Sequence, residues 1–362
     1  MKINKITIEK YNLKLNKPFG YFTATLKTLP YALIKIESNN GLVGFGEAEI
    51  AWDVTGETQE GALGLLKYIK PILISKEIAN LESIEKIMDE LNLFIYDNSS
   101  LKAGIEMALL DLLGKMTKKP VWKILGGNSI DSIVAQQVFS FDDLNSKEIK
   151  VLDVSKNDAR VFKFKFGQNP EEELVKVKDV IEKHPKIKLV FDINQGWKNV
   201  ATALPIIKKL EKFEKNIAWI EQPIFHSDFE GLALLRKKSK IKIMADESCH
   251  NLNDLENLYF RKSVDLVNIK LAKSGGMFEA LKMVKFCEKN NIKYMLGDMI
   301  HSQLGTAANL HFATLGNFVG FDLTIPEKIL NDPFSGLKVD HYRFYVPQKE
   351  GLGVQREKNE NR

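Results

Sequence analysis

Residues 188–221 read KLVFDINQGWKNVATALPIIKKLEKFEKNIAWIE. The stretch contains two apolar runs, each of which ends in a carboxylate, and an amphipathic segment between them. Apolar runs that alternate with helical segments are typical of parallel β-α-β units, because parallel neighbours need a long crossover connection. We therefore predict two parallel strands that end at Asp192 and Glu221, and a helix between them at Ala203 to Phe213.

The same unit recurs on both sides of this stretch. Seven apolar runs end in polar residues that lie 24 to 29 positions apart, at Lys165, Asp192, Glu221, Asp246, Lys270, Asp298 and Asp322. A period of one strand plus one helix, with a polar residue at the carboxyl end of each strand, predicts a (β/α) barrel whose active site lies at that end. An open doubly wound sheet is disfavoured, because no glycine-rich phosphate loop follows these strands.

The first 120 residues or so have a different pattern. Three predicted antiparallel strands come first, and three helical segments follow them, which indicates an α+β domain. The strands are Lys2 to Leu15, Tyr31 to Ser38 and Gly41 to Ala48, and the helices are Glu60 to Ile72, Leu81 to Leu93 and Leu101 to Met116. We place the α+β domain at residues 1–125 and the barrel at 126–330, and we expect the C-terminal segment, 331–362, to pack back on the first domain.

The composition is that of a folded, soluble protein. Of 362 residues, 44% are hydrophobic and 27% are charged, and the 52 basic residues are interspersed with 47 acidic ones. This mixture gives little support for nucleic-acid or membrane binding. Two cysteines form neither a disulfide framework nor a metal motif, so we expect a cytoplasmic protein. The sequence does not decide between a monomer and a homo-oligomer.

Asp192, Glu221 and Asp246 end three consecutive predicted strands. A single carboxylate at a strand end is often a helix N-cap. Three carboxylates that converge in a barrel mouth repel one another unless a cation neutralises them. Oxygen ligands without His or Cys favour a hard ion, Mg²⁺ or Mn²⁺. The sequence therefore predicts a metal site formed by these three residues.

Two lysines complete the predicted site. In Arg160 to Gly167, strand alternation places three phenylalanines on one face and Lys163 and Lys165 on the other. An isolated pair of this kind is often a solvated edge. Lys270, however, ends a strand four positions further round an eightfold ring, so it faces Lys165 across the lumen. Two lysines that flank a metal-bound carboxylate are suited to removing and returning a proton at the α-carbon.

Five motifs carry a resemblance to a known family: KFKFG, FDIN, IEQP, ADES and NIKLAKSGG, in this order and spacing. The chain resembles the muconate lactonizing enzyme subgroup of the enolase superfamily, and within it the dipeptide epimerases. The resemblance implies a capping domain, a modified TIM barrel of the (β/α)₇β type, and one Mg²⁺ per subunit that stabilises an enediolate. It also implies that Lys165 and Lys270 are the acid/base pair, that Lys163 contacts the substrate carboxylate, and that Glu247 supports the metal ligands.

The resemblance also bears on the substrate. Dipeptide epimerases typically carry Asp-x-Asp on the final strand, where the acids bind the substrate ammonium; here Asp322 is retained and Thr324 replaces the second acid. Asp298 could assist Asp322, although each acid could equally be a helix cap. The other expected substrate contacts are Gln137, Asn194 and Thr324. No role is assigned to His301.

A loop at residues 17–27 is expected by resemblance to cover the site. It carries Phe19, Tyr21 and Phe22, and no arginine precedes Arg160. Relatives that act on Ala-Glu commonly have an arginine there, so an apolar substrate side chain is favoured. The same aromatic residues could instead only anchor the loop.

The sequence thus predicts Mg²⁺-dependent epimerisation of hydrophobic L,L-dipeptides. Three alternatives stay open. The first is another reaction of the subgroup, such as o-succinylbenzoate synthesis, N-acylamino acid racemisation or cycloisomerisation. The second is a barrel that only binds a ligand, and the third is a Schiff-base aldolase that uses Lys165 or Lys270.

Overall fold

The computed structural model describes residues 1–20, 25–139 and 161–357. The chain begins with a three-stranded antiparallel sheet in the order β1 (Ile3–Gly20), β2 (Thr25–Ser38) and β3 (Val43–Glu49). The sheet confirms the predicted meander, but β1 and β2 extend further towards residues 21–24 than the sequence indicated. A register shift between Lys14 and Phe19 marks the start of that extension.

Four helices follow the sheet: α1 (Gln59–Leu73), α2 (Leu81–Phe94), α3 (Ser99–Thr117) and α4 (Val121–Ile124). Asn80 and Ser83 form a reciprocal capping box that starts α2. Helix α3 is buried on almost all sides, because it lies between β3 and the barrel. We refer to β1–β3 and α1–α3 as the cap.

Seven parallel strands form the second sheet, and described helices follow six of them, β6 to β11. After the short strand β4 (Ser132–Val134), the sheet strands are β5 (Gln137–Phe139), β6 (Val161–Lys165), β7 (Lys188–Asp192), β8 (Ile217–Glu221), β9 (Ile243–Ala245), β10 (Leu266–Ile269) and β11 (Lys293–Leu296), in sequence order across the sheet. The helices are α5 (Pro170–Lys183), α6 (Val200–Leu210), α7 (Phe229–Lys238), α8 (Leu252–Phe260), α9 (Leu271–Ser274), α10 (Met277–Lys289) and α11 (Gln303–Ala313).

Residues 319–322 close the sheet into a barrel. On one side the Asp322 amide donates to the Leu296 carbonyl of β11 at 2.9 Å, and on the other the Gln136 amide, next to β5, donates to the Phe321 carbonyl at 2.8 Å. This segment occupies the eighth strand position of the ring. The β/α repeat ends with it. The result confirms the expected (β/α)₇β barrel.

The C-terminal residues return to the cap. The Leu330 amide donates to the Lys14 carbonyl of β1, and Gly351 bonds to the backbone of Lys119 beyond α3. Four short strands lie in this segment: β12 (Phe334–Ser335), β13 (Val339–Asp340), β14 (Arg343–Tyr345) and β15 (Gln355–Arg356). One continuous apolar core runs through the cap and the barrel. None of the described helices is both long enough and apolar enough to span a membrane.

Candidate active site

A cavity lies between the cap and the carboxyl ends of the barrel strands. Its floor contains Lys163, Lys165, Asp192, Asp246, Lys270 and Asp322, all from the barrel. Its roof is formed by cap residues: Phe19, Leu26, Leu29, Pro30 and residues 49–54. Six of the seven polar strand ends that the sequence singled out, all but Glu221, therefore line one cavity.

Lys163 stands at the centre of the charged floor. Its Nζ lies 3.0 Å from Asp192 Oδ2, 2.9 Å from Glu221 Oε2 and 2.9 Å from Asp322 Oδ2. Burial acts to lower the pKa of this ammonium, but the surrounding carboxylates, Asp192 above all, hold the pKa well above its usual range. Lys163 is therefore a permanent cation among three acids.

The two other lysines lie on opposite sides of the ring, because β6 is the second barrel strand and β10 is the sixth. Lys165 Nζ lies 2.8 Å from Asp192 Oδ2 and 2.7 Å from Asn194 Oδ1. Lys270 Nζ lies 2.8 Å from Asp246 Oδ2 and 3.6 Å from Met299 Sδ. Burial disfavours the charge on Lys270, yet contact with Asp246 raises its pKa above the ordinary value.

The three carboxylates of the predicted metal site end adjacent strands. Asp192 stands opposite Glu221 in the β7–β8 register, and Glu221 stands opposite Met244, two residues before Asp246. Burial and the nearby Asp192 raise the pKa of Glu221 to about 8. Three buried carboxylates form a donor set that fits Mg²⁺.

In the structure, lysine ammonium groups neutralise the negative charge of these carboxylates. Lys163 bridges Asp192 and Glu221, while Lys270 and Lys273 hold the two oxygens of Asp246. In residues 1–20, 25–139 and 161–357, no three acidic, His or Cys side chains already stand in coordinating positions. A metal bound by these residues would therefore replace ammonium contacts rather than fill a ready-made cage.

Lys273 is a charged residue that the sequence reasoning missed. Its side chain is fully buried and donates to Asp246 Oδ1 at 2.5 Å and to the Asn268 carbonyl at 3.2 Å. It follows Lys270 by three residues in the short helix α9, which turns both lysines towards Asp246. The second lysine of the quoted motif NIKLAKSGG was the available signal.

His301, to which the sequence assigned no role, joins the cap to the barrel. Its Nδ1 lies 3.0 Å from Glu47 Oε1 of β3, and its Nε2 lies 3.5 Å from Asp298 Oδ1. Burial opposes its charge, but Asp298 and Glu47 raise the pKa of His301 to about 9. Asp298 also accepts a hydrogen bond from the Thr324 hydroxyl. Asp298 is therefore already engaged, as Asp322 is by Lys163.

The remaining predicted residues do not all line the cavity. Asn194 and Glu247 line the cavity and contact each other at 3.3 Å. Gln137 does not line it: β5 places Gln137 opposite Phe162, on the face away from Lys163, and Val138 lines the cavity instead. This corrects the expectation that Gln137 contacts substrate.

In the loop at residues 17–27, Tyr21 and Phe22 lie outside the described residues. Phe19 lines the cavity, with its ring centre 6.0 Å from Lys165 Nζ and 5.9 Å from Lys328 Nζ. Lys328 is a cation at the cavity edge that the sequence reasoning did not place there. Glu49 and Trp52 of the cap also line the cavity and were missed, because no motif marks them.

Curated relatives match almost the whole chain. The chain is 30% identical to the N-succinyl-L-Arg/Lys racemase of Bacillus cereus, over 98% of this chain and 95% of the relative. It is 32% identical to the hydrophobic dipeptide epimerase of Enterococcus faecalis, over 86% and 87%. A solved dipeptide epimerase from Cytophaga hutchinsonii, complexed with Mg and D-Ala-L-Val, superposes with a TM-score of 0.91 at 28% identity, over 99% of this chain and 97% of that one.

The capped barrel with two facing lysines, together with relatives named as racemases and epimerases, defines the chain as an isomerase. Two family models match it. The first is described as the N-terminal domain of mandelate racemase and muconate lactonizing enzyme, at residues 3–126, and the second as enolase C-terminal domain-like, at residues 150–360. The chain belongs to the mandelate racemase and muconate lactonizing enzyme family, within the enolase superfamily.

Proposed function

We propose that the protein epimerises L,L-dipeptides at the carbon α to the terminal carboxylate. One observation carries the proposal: Lys165 and Lys270 are buried on opposite sides of one cavity, and carboxylates that can hold a cation lie between them. One lysine can remove the α-proton from one face of the substrate, and the opposite lysine can return a proton to the other face of the planar enediolate that results. That is the requirement for inverting a stereocentre.

Most polar groups of the floor have a place in this scheme. Lys163 binds the substrate carboxylate, while Lys165 and Lys270 accept and return the α-proton. Asp192, Glu221 and Asp246 would hold Mg²⁺, and Glu247 would support them through its contact with Asn194. When bound, Mg²⁺ supplies positive charge that stabilises negative charge on the substrate carboxylate.

The cavity wall supports a substrate side chain with an apolar body. Leu26, Leu29, Ile50 and Met299 contribute to that wall beside Phe19. Burial of an apolar side chain gains about 1.5–3 kcal/mol, whereas burial of an unpartnered carboxylate costs several kcal/mol. We therefore propose a preference for hydrophobic over acidic side chains, which is also the specificity named for the Enterococcus faecalis relative.

Racemisation of N-acylated amino acids is a second candidate. The acids expected to receive a dipeptide ammonium are both engaged, Asp322 by Lys163 and Asp298 by His301 and Thr324. An N-acyl group carries no ammonium and makes no such demand. The name of the Bacillus cereus relative, an N-succinyl amino acid racemase, agrees with this alternative.

The test is α-proton exchange in D₂O with Mg²⁺, followed by mass spectrometry. The substrates are L-Ala-L-Leu, L-Ala-L-Phe and L-Ala-L-Glu, with N-succinyl-L-leucine as the representative of the second candidate. We expect deuterium incorporation and epimer formation, with kcat/KM at least tenfold higher for L-Ala-L-Leu than for L-Ala-L-Glu. Asp246→Asn should abolish exchange.

Three results would count against parts of this scheme. Full activity in excess chelator contradicts the metal site. A tenfold advantage for L-Ala-L-Glu would contradict the apolar preference and point to Lys328 as a partner for the glutamate side chain. Exchange of the N-succinyl substrate alone would select the second candidate.

A further inference from the structure

Glu49 is a buried carboxylate at the edge of the cavity that the proposed chemistry does not use. It ends β3 opposite Tyr31, and the Tyr31 hydroxyl reaches the Ile300 carbonyl of the barrel at 2.6 Å. Residues directly opposite in an antiparallel pair point to the same face, so Glu49 also faces the barrel. Only 7% of the residue is exposed, and it lines the cavity.

Glu47, two residues earlier on the same face, provides a comparison. It is contacted by the Tyr11 and Ser302 hydroxyls, the Ser302 amide and His301. Glu49 Oε2, by contrast, has no hydrogen-bond partner among the described residues. A buried carboxylate without a donor is costly, by about 1–3 kcal/mol or more for a charged group. One oxygen of the Glu49 side chain is therefore buried without a partner.

The cations near Glu49 are committed elsewhere. His301 is held between Glu47 and Asp298, and Lys270 contacts Asp246. Burial raises the pKa of Glu49 well above its usual value, and the neighbouring Asp298 acts in the same direction. A positive charge that entered the cavity beside Glu49 would give its carboxylate a matched partner.

We propose that Glu49 binds the cationic end of the substrate side chain, so that the preferred substrates carry lysine or arginine at the isomerised position. The inference rests on the proposed function and specifies its substrate class. A lysine or arginine side chain also has an apolar stem, which suits the wall that Ile50, Met299 and Ile300 form beside Glu49. The preference for an apolar over an acidic side chain and the demand for a terminal cation are therefore compatible.

A dipeptide carries a second positive charge, its N-terminal ammonium, and the experiment must separate the two. With Mg²⁺ present, kcat/KM for α-deuterium exchange is measured for L-Ala-L-Lys and for its neutral isostere L-Ala-L-norleucine. The same side chains are compared as N-succinyl-L-lysine and N-succinyl-L-norleucine, which lack the ammonium. Titration calorimetry of these four compounds measures the preference in binding as well.

We expect a preference of tenfold or more for lysine over norleucine on at least one scaffold, and its loss in Glu49→Gln. The norleucine compound of that scaffold should change less than threefold in the variant. Glu60→Gln, which alters an exposed acid of α1, serves as the matched control and should behave as the unaltered protein.

Other outcomes separate the two proposals. Exchange of norleucine substrates without any lysine preference overturns the role of Glu49 and leaves the isomerase proposal intact. A loss in Glu49→Gln that affects L-Ala-L-norleucine but not N-succinyl-L-lysine would assign Glu49 to the N-terminal ammonium, which also overturns the inference. Absence of exchange with all four compounds contradicts the proposed function, and calorimetry then still decides whether lysine binds through Glu49.

Discussion

Lys165 and Lys270 reach the cavity from the second and sixth strands, and each can approach only its own face of a planar intermediate. We predict that Lys270→Ala stops epimerisation but still exchanges the α-proton of one stereoisomer for deuterium. Lys165→Ala should retain exchange of the opposite stereoisomer. The measurement is NMR or mass spectrometric detection of α-deuterium in each pure isomer.

Arginine is a poor replacement at either position, because it stays protonated at any working pH and cannot accept a proton. Lys123→Ala, which alters an exposed lysine, is the control and should epimerise normally. Undiminished exchange of both isomers in both active-site variants would show that the lysines only balance the buried carboxylates.

At this scale the sequence located the charged groups but not their partners. Strand alternation was enough to predict that Lys163 and Lys165 point away from the phenylalanine face. On the phenylalanine face, the rings of Phe139 and Phe164 stack with their centroids 4.7 Å apart. From the sequence alone, a lysine near a divalent cation and a second lysine is expected to have a lowered pKa, but contact with Asp246 instead raises the pKa of Lys270. Glu49 was missed because its burial comes from contacts between the cap and the barrel.

Strand β3 and helix α3 pack with their backbones in close contact. A Cβ atom built on Gly46 would lie 1.9 Å from the Gly104 carbonyl oxygen, and one on Gly44 would lie 2.1 Å from that of Ala108. Two backbones this close cannot separate without moving the sheet away from the helix. Overpacking of a core typically costs about 1–3 kcal/mol and occasionally more.

We therefore predict that Gly46→Ala lowers the free energy of unfolding by about 3 kcal/mol or more, measured by urea denaturation. Gly64→Ala in α1 is the control, because a Cβ there meets nothing within 4 Å. Alanine in a helix interior is favoured over glycine by about 1 kcal/mol, so that variant should be neutral or more stable. Equal stability of the two variants would mean that the β3–α3 contact can relax.

The sequence predicted most elements of the cap, and the exception has a physical cause. Residues 17–27 were expected, by resemblance to the family, to form a loop that covers the site. In the structure Phe19 pairs with Leu26 and Gly20 with Thr25. Pairing between the two strands, which overrides local preference, could not be predicted from either segment alone.

The cap and the barrel are joined by an ion pair between Glu47 and His301. Folding raises the His301 pKa from the usual 6.5 to about 9, so the native state binds the proton more tightly than the unfolded chain. The resulting stability, on the order of 3 kcal/mol, is fully present below about pH 6.5. It is lost as the pH rises from that value through about 9.

We predict that the thermal midpoint of the whole molecule falls between pH 6.5 and 9 and that His301→Gln removes most of this contribution to the fall. His341→Gln, which alters an exposed histidine, is the control and should keep the full pH dependence. Parallel pH profiles for the unaltered protein and His301→Gln would contradict a charged histidine at this contact.

The barrel as a whole was predictable, because its repeat of 24 to 29 residues appears directly in the sequence. The closure of the barrel was harder to predict. Residues 319–322 form backbone hydrogen bonds with a neighbour on each side, and no local sequence pattern indicates this pairing. The domain limits at residues 125 and 330 stay a prediction. Strand β14 of the C-terminal segment pairs with β4 before the barrel, and Gly351 packs against α3 of the cap.

The position of Glu49 has a consequence for how such an enzyme changes over generations. The lysines and the acids between them come from barrel strands, whereas Glu49 ends a cap strand. A single nucleotide change can convert its Glu codon to one for Lys, Gln, Gly, Ala or Val while the barrel residues stay unaltered. Descendants of this chain could therefore acquire new substrates by mutation in the cap, without a generation in which the proton-transfer step is lost.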